Sequence, residues 1–125
     1  TMKKPSRIVF NSVITAISKS KEPGMLEKAV GVLREMKHLY GTGNHDDLCP
    51  DEYTFTPLLM ACSNRAENTP DIMKAPSIAS SLLTDMLKTY RLRPNHKHYS
   101  ACMAAYANIG DAPRAQRILD EMNFQ

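Results

Sequence analysis

The chain has 125 residues, about one small domain, and its 42% apolar content is enough to bury roughly two thirds of the unfolded surface. Sixteen Lys and Arg against thirteen Asp and Glu leave a formal charge of +3, which permits a nucleic-acid partner without indicating one. Three scattered cysteines, Cys49, Cys62 and Cys102, exclude a disulfide scaffold and a CxxC metal site, and no apolar run reaches the ~18 residues of a membrane span.

Lys3 and Lys4 precede no hydrophobic stretch and Thr1 is not an initiator, so no targeting segment is visible and the chain reads as a piece of something longer. From there, apolar residues at helical spacing predict three pairs of helices. The first carries Val9, Phe10, Val13, Ile14 and Ile17 on one side. After the breakers Pro23-Gly24, its partner carries Leu26, Ala29, Val30, Leu33 and Met36. A polar excursion, 40–47, separates it from a third helix with Phe55, Leu58, Leu59 and Cys62. A second polar insertion, 65–74, precedes a fourth helix with Ile78, Ala79, Leu82, Leu83 and Met86. The last pair carries Tyr99, Cys102, Met103 and Tyr106, then Ala115, Ile118, Leu119 and Met122, joined at Gly110-Asp111. No period-two run argues for a strand.

Two blocks recur within this order. Proline followed by Ser, Asp or Asn, then an aromatic and a small hydrogen-bonding residue, appears at Pro5-Ser6…Phe10-Asn11, Pro50-Asp51…Phe55-Thr56 and Pro94-Asn95…Tyr99-Ser100. Ala, Leu, an acid and Met share fixed offsets at Ala29…Leu33…Glu35-Met36, Ala79…Leu83…Asp85-Met86 and Ala115…Leu119…Glu121-Met122. Self-similarity at such a period is the mark of a solenoid, in which one equivalent side chain per unit lines a groove. Small Ala lets helices approach, Leu and Met fill the seam, and the acid before Met is expected to face solvent. Ser6, Asp51 and Asn95 each follow proline and precede a helix, so each also reads as an N-cap.

On these residues, above all Pro50-Asp51…Phe55-Thr56-Pro57-Leu58-Leu59, the chain resembles the pentatricopeptide repeat family, with P-type-like repeats carrying loop insertions. The resemblance implies an all-α fold, a right-handed superhelical α-α solenoid of about three helix-turn-helix repeats, approximately 6–50, 51–94 and 95–125. It also implies binding of single-stranded RNA, one base per repeat, read by two or three side chains. The implied base-reading residues are Asn11, Thr56 and Ser100, with Asp51 and Asn95 as companions of the first two. Asn11/Asp51 looks like a uracil reader and Thr56/Asn95 an adenine reader, so the implied fragment is U-A-purine. Ile8, Tyr53 and Lys97 would pack between bases, although Lys97 stands where an aliphatic wedge is expected and Tyr53 equally suits exposed packing.

Lys19 stands where a turn lysine often meets the RNA backbone; Asn64 and Asn108 hold that place in the other units. Arg91 and Arg93 are further candidates for phosphate contact. Pro57 directly after Thr56 implies either a helix that begins late, with Thr56 as its N-cap, or a kink. No enzyme, cofactor, metal site, membrane or small-molecule substrate is expected: no catalytic constellation is present, and His96 and His98 fall on different sides of a helix with no cysteine at ligand spacing. Organellar RNA metabolism, in mitochondrion or plastid, follows from the resemblance alone. The competing expectation is a scaffold that binds other proteins, similar to tetratricopeptide solenoids. The first helices lack that family's Trp-Gly-Tyr pattern, which favours RNA.

Overall fold

A computed structural model describes residues 6–20, 22–43, 46–63 and 70–123. Pro5, His45, Asn64 and the chain end at Phe124 and Gln125 lie outside the described residues. Six helices follow in order: α1 Arg7–Lys19, α2 Met25–Gly41, α3 Glu52–Ser63, α4 Pro70–Thr84, α5 His96–Asn108 and α6 Ala112–Asn123. Among the described residues there is no strand.

Local chemistry sets the ends of these helices. The Ser6 hydroxyl accepts from the Val9 N–H at 3.3 Å and starts α1. Gly24 takes φ 85°, a conformation that turns the chain into α2 at little cost only without a Cβ. Asp51 and Asn95 cap α3 and α5 by accepting from the backbone N–H of Thr54 (3.1 Å) and His98 (3.2 Å). The end of α4 widens over Asp85–Thr89, where Tyr90 N–H reaches Asp85 O at 3.0 Å, five residues back. Arg91 follows with φ 55° and breaks the helix.

The first helices, α1, α3 and α5, pack side by side in a row, and α2, α4 and α6 back them. Between the layers lie Ile14, Leu33, Met36, Phe55, Leu58, Leu59 and Met86, all buried, with the Phe55 and Tyr90 rings tilted together at 5.8 Å. The second helices meet more lightly. α2 and α4 are tied by two ion pairs, the half-buried Lys37–Asp85 and the exposed Lys74–Glu27, the latter at 2.7 Å. A helical-repeat solenoid results.

Several local expectations are corrected. Val9 and Val13 do not join the core; they are 55% and 42% exposed, on the side of α1 that α2 and α3 leave uncovered. Residues 71–74 are helical rather than loop, because Pro70 opens α4 at a first-turn position where its missing N–H costs nothing. α3 starts at Glu52, so Thr56 is not an N-cap and Pro57 sits inside the helix. Pro57 has no N–H to give the Tyr53 carbonyl, so the helix lacks one bond there, at a residue that is itself exposed. Asp85 is half-buried against Lys37 instead of facing solvent, whereas Glu35 and Glu121 are exposed.

Candidate nucleic-acid interface

The row of first helices leaves an open groove of about 1050 Å³ along α1, α3 and the start of α5. Asn11, Asp51, Thr56 and Asn95 line it, as do Ile8, Tyr53 and Lys97. Lys19 stands at its edge, at the last residue of α1. Ile8 and Tyr53 project with 77% and 70% exposure, large apolar surfaces available to a planar partner. Ser100 is half-buried on α5 and does not line this groove. Arg91 and Arg93 are exposed on the segment after α4, likewise away from it.

In the first unit, residues 40 positions apart meet: the Asn11 amide Nδ2 donates to Asp51 Oδ1 at 3.3 Å. Thr54, fully buried, holds both. Its hydroxyl accepts from the Asp51 N–H at 3.1 Å and donates to Asn11 Oδ1 at 2.6 Å. Arg7 supports the same carboxylate, with Nε donating to Cys49 O at 2.7 Å and lying 3.7 Å from Asp51 Oδ2. Asn11 therefore keeps an N–H, and Asp51 keeps acceptor capacity, toward the groove.

The second unit repeats this arrangement with other residue types. Asn95 N–H donates to His98 Nδ1 at 2.9 Å, so that nitrogen carries no proton and the ring proton sits on Nε2. Nε2 then donates to Thr56 Oγ1 at 2.8 Å, and Thr56 passes its own proton to Glu52 O at 2.7 Å. Burial pushes the His98 pKa below the ordinary imidazole value, against the opposing pull of the Glu52 carboxylate, which keeps the ring in this neutral form. His98 itself is 2% exposed.

Thr54, His98 and Arg7 were not foreseen from sequence. A signal for the first two was present: each stands three residues after an N-cap, the position whose side chain can reach back to the cap's N–H. Asn108 donates from Nδ2 to Ser63 O at 3.0 Å, a tie between α5 and α3 rather than a free backbone-binding group. Asn64 lies outside the described residues.

Burial pushes the Cys102 thiol up to about 11, so it stays protonated and packs as a small apolar group. Among the described residues no group of three or more His, Cys, Asp or Glu side chains is placed to hold a metal ion, and no helix is long and apolar enough to cross a membrane.

Comparison with known proteins adds two findings. The family model for the PPR repeat matches residues 24–39 and 97–123, that is, most of α2 and nearly all of α5 with α6. A chloroplastic pentatricopeptide repeat-containing protein of Arabidopsis thaliana is 29% identical over 102 residues, 82% of this chain. The chain spans only 10% of that relative's length.

Proposed function

Because the chain belongs to the pentatricopeptide repeat family, we propose that its groove binds single-stranded RNA in sequence-specific fashion, one base per repeat. The observation that carries this reading is the pairing of Asn11 with Asp51 across 40 residues, in the groove that Thr56 and Asn95 also line. In each pair one residue comes from the first helix of a unit and the other from the cap of the next.

A base inserted there meets a donor and an acceptor fixed in space, and its Watson–Crick edge decides whether it matches. Asn11/Asp51 selects uracil and Thr56/Asn95 adenine, while Ser100, which does not line this groove, favours a purine only where the RNA continues past it along α5. Ile8 and Tyr53 flank the bases, with stacking on the tyrosine worth about 1–3 kcal/mol. Lys97 and Lys19 meet phosphate; Arg91 and Arg93 serve RNA only where it leaves the groove. The repeats divide near 6–50, 51–94 and 95–125. The activity is binding rather than catalysis, and the chloroplastic relative favours work on organellar transcripts.

The test is titration of the chain with short RNAs carrying UAA or its scramble at moderate salt. Preference for UAA, shifted at its first base by Asn11→Thr with Asp51→Asn, is the expected result. Equal and negligible binding of both RNAs, together with a stable protein partner, would replace the reading with that of a scaffold.

A further inference from the structure

We propose that His98 is a positioning residue for base choice in the second unit, and that reader and supporter are matched in length, so that specificity resides in the couple Thr56/His98 rather than in Thr56 alone. The inference rests on the RNA-binding reading above and deepens it. It starts from a correspondence between two units that share no residue type at these positions. In unit one a long reader, Asn11, meets a short supporter, Thr54, at 2.6 Å. In unit two a short reader, Thr56, meets a long supporter, His98, at 2.8 Å. The partners are 43 and 42 residues apart, and both supporters are buried and sit three residues after the cap that supplies the companion.

The supporter also fixes polarity. Thr54 accepts from Asp51 N–H, and its single proton faces both Asn11 Oδ1 at 2.6 Å and Asp51 Oδ1 at 3.1 Å; the shorter contact, to Asn11 Oδ1, turns the amide so that Nδ2 faces Asp51. His98 must give its Nε2 proton to Thr56 because Nδ1 accepts from Asn95 N–H. Thr56 sends its own proton to Glu52 O, so it offers the groove a lone pair and no donor. Asn95 Oδ1 is occupied by His98 N–H, which leaves its Nδ2 as the donor of the pair. One side chain thus sets the hydrogen-bonding sense of both members of the second reading pair.

The same geometry makes unit two sensitive to acid through its supporter, whereas the supporter of unit one has no ionisable group. A proton on Nδ1 cannot coexist with the Asn95 N–H aimed at it, so protonation breaks the cap that holds Asn95. Glu52 from α3 is the charged group facing the ring, Asn95 and Thr56 are its neutral partners, and exposed Lys97 adjoins it on α5. Thr54 has nothing to titrate.

The experiment measures binding of the chain to RNAs varied separately at the first and second base, from pH 7.5 to 5.5. For the unaltered chain, discrimination at the second base falls on acidification while that at the first holds. His98→Thr alone, too short to reach Thr56, lowers second-base discrimination roughly three- to tenfold at pH 7.5, the worth of one hydrogen bond. Adding Thr56→Asn transplants unit one's couple, restores discrimination for the base that Asn prefers, and abolishes the pH dependence. Imidazole nitrogen shifts report the Nε2–H tautomer without RNA. An Nδ1–H tautomer, or second-base discrimination untouched by His98→Thr, overturns this inference alone. Absence of discrimination by the unaltered chain at both bases overturns the RNA reading and this inference with it.

Discussion

Thr54→Val isolates the polar joint of the first unit. The two side chains have nearly the same shape, so no cavity opens at this fully buried site, and the change removes only the hydroxyl. With it go the acceptance from Asp51 N–H at 3.1 Å and the donation of its one proton, which lies 2.6 Å from Asn11 Oδ1 and 3.1 Å from Asp51 Oδ1 measured from Oγ1. Each is worth about 1 kcal/mol net, and both abandoned partners are only part-buried, so water recovers some of the loss. The expected destabilisation is about 2 kcal/mol. In urea this moves the midpoint down by about 1 M at unchanged slope, since the surface exposed on unfolding is the same. Thr54→Ser, which keeps the hydroxyl and loses one methyl, costs about 0.8 kcal/mol by burial alone and serves as control. A valine variant as stable as the parent, or a serine variant worse than the valine, would refute the hydrogen-bonding account and leave packing as the role of Thr54.

Three further outcomes follow from other sites. Tyr99 is buried and its hydroxyl has no partner among the described residues, so Tyr99→Phe leaves stability unchanged or raises it by up to about 1 kcal/mol in a denaturant titration; a loss would reveal a bond to that oxygen. Gly24→Ala, at φ 85° with open space around it, costs about 1–2 kcal/mol through backbone strain alone, and a neutral result by thermal melting would mean the turn relaxes. Unfolded His98 takes up a proton near its ordinary pKa of about 6.5, while the folded ring, held lower by burial, does so only at lower pH. The unfolded state therefore binds more protons in that window, and stability declines as pH falls below about 6.5. His98→Gln flattens this part of the stability–pH curve; an unaltered curve would assign the slope to other groups.

The solenoid was legible because its signals are strong and local: the Ala-Leu-Met seams recur at fixed offsets, and the buried Ala29, Leu33, Ala79 and Leu83 are the residues so marked. Val9 and Val13 misled because helical periodicity identifies an apolar side without saying whether a neighbour covers it. Residues 71–74 read as part of a polar insertion because they carry little of the apolar periodicity that marks the rest of α4, although Pro70 suits a helix start. The faces of the groove could be placed from the repeat, and Asn11 and Asp51 do meet. Thr54 and His98 could not, since a polar residue near a helix start looks like a solvated one until the helix 42 or 43 residues away is laid against it.

The two layers of the molecule differ in how they are joined, and this bears on their response to salt. Successive first helices share an extensive contact that also carries the polar joints Asn11–Thr54, Thr56–His98 and Asn108–Ser63, whereas α2 and α4 meet lightly and are linked by the half-buried pair Lys37–Asp85 and the exposed pair Lys74–Glu27. An exposed pair such as Lys74–Glu27 is worth about 0–1 kcal/mol and is screened by salt. The second-helix layer is therefore the more lightly joined of the two, and the part of its linkage that salt weakens is the exposed Lys74–Glu27 pair.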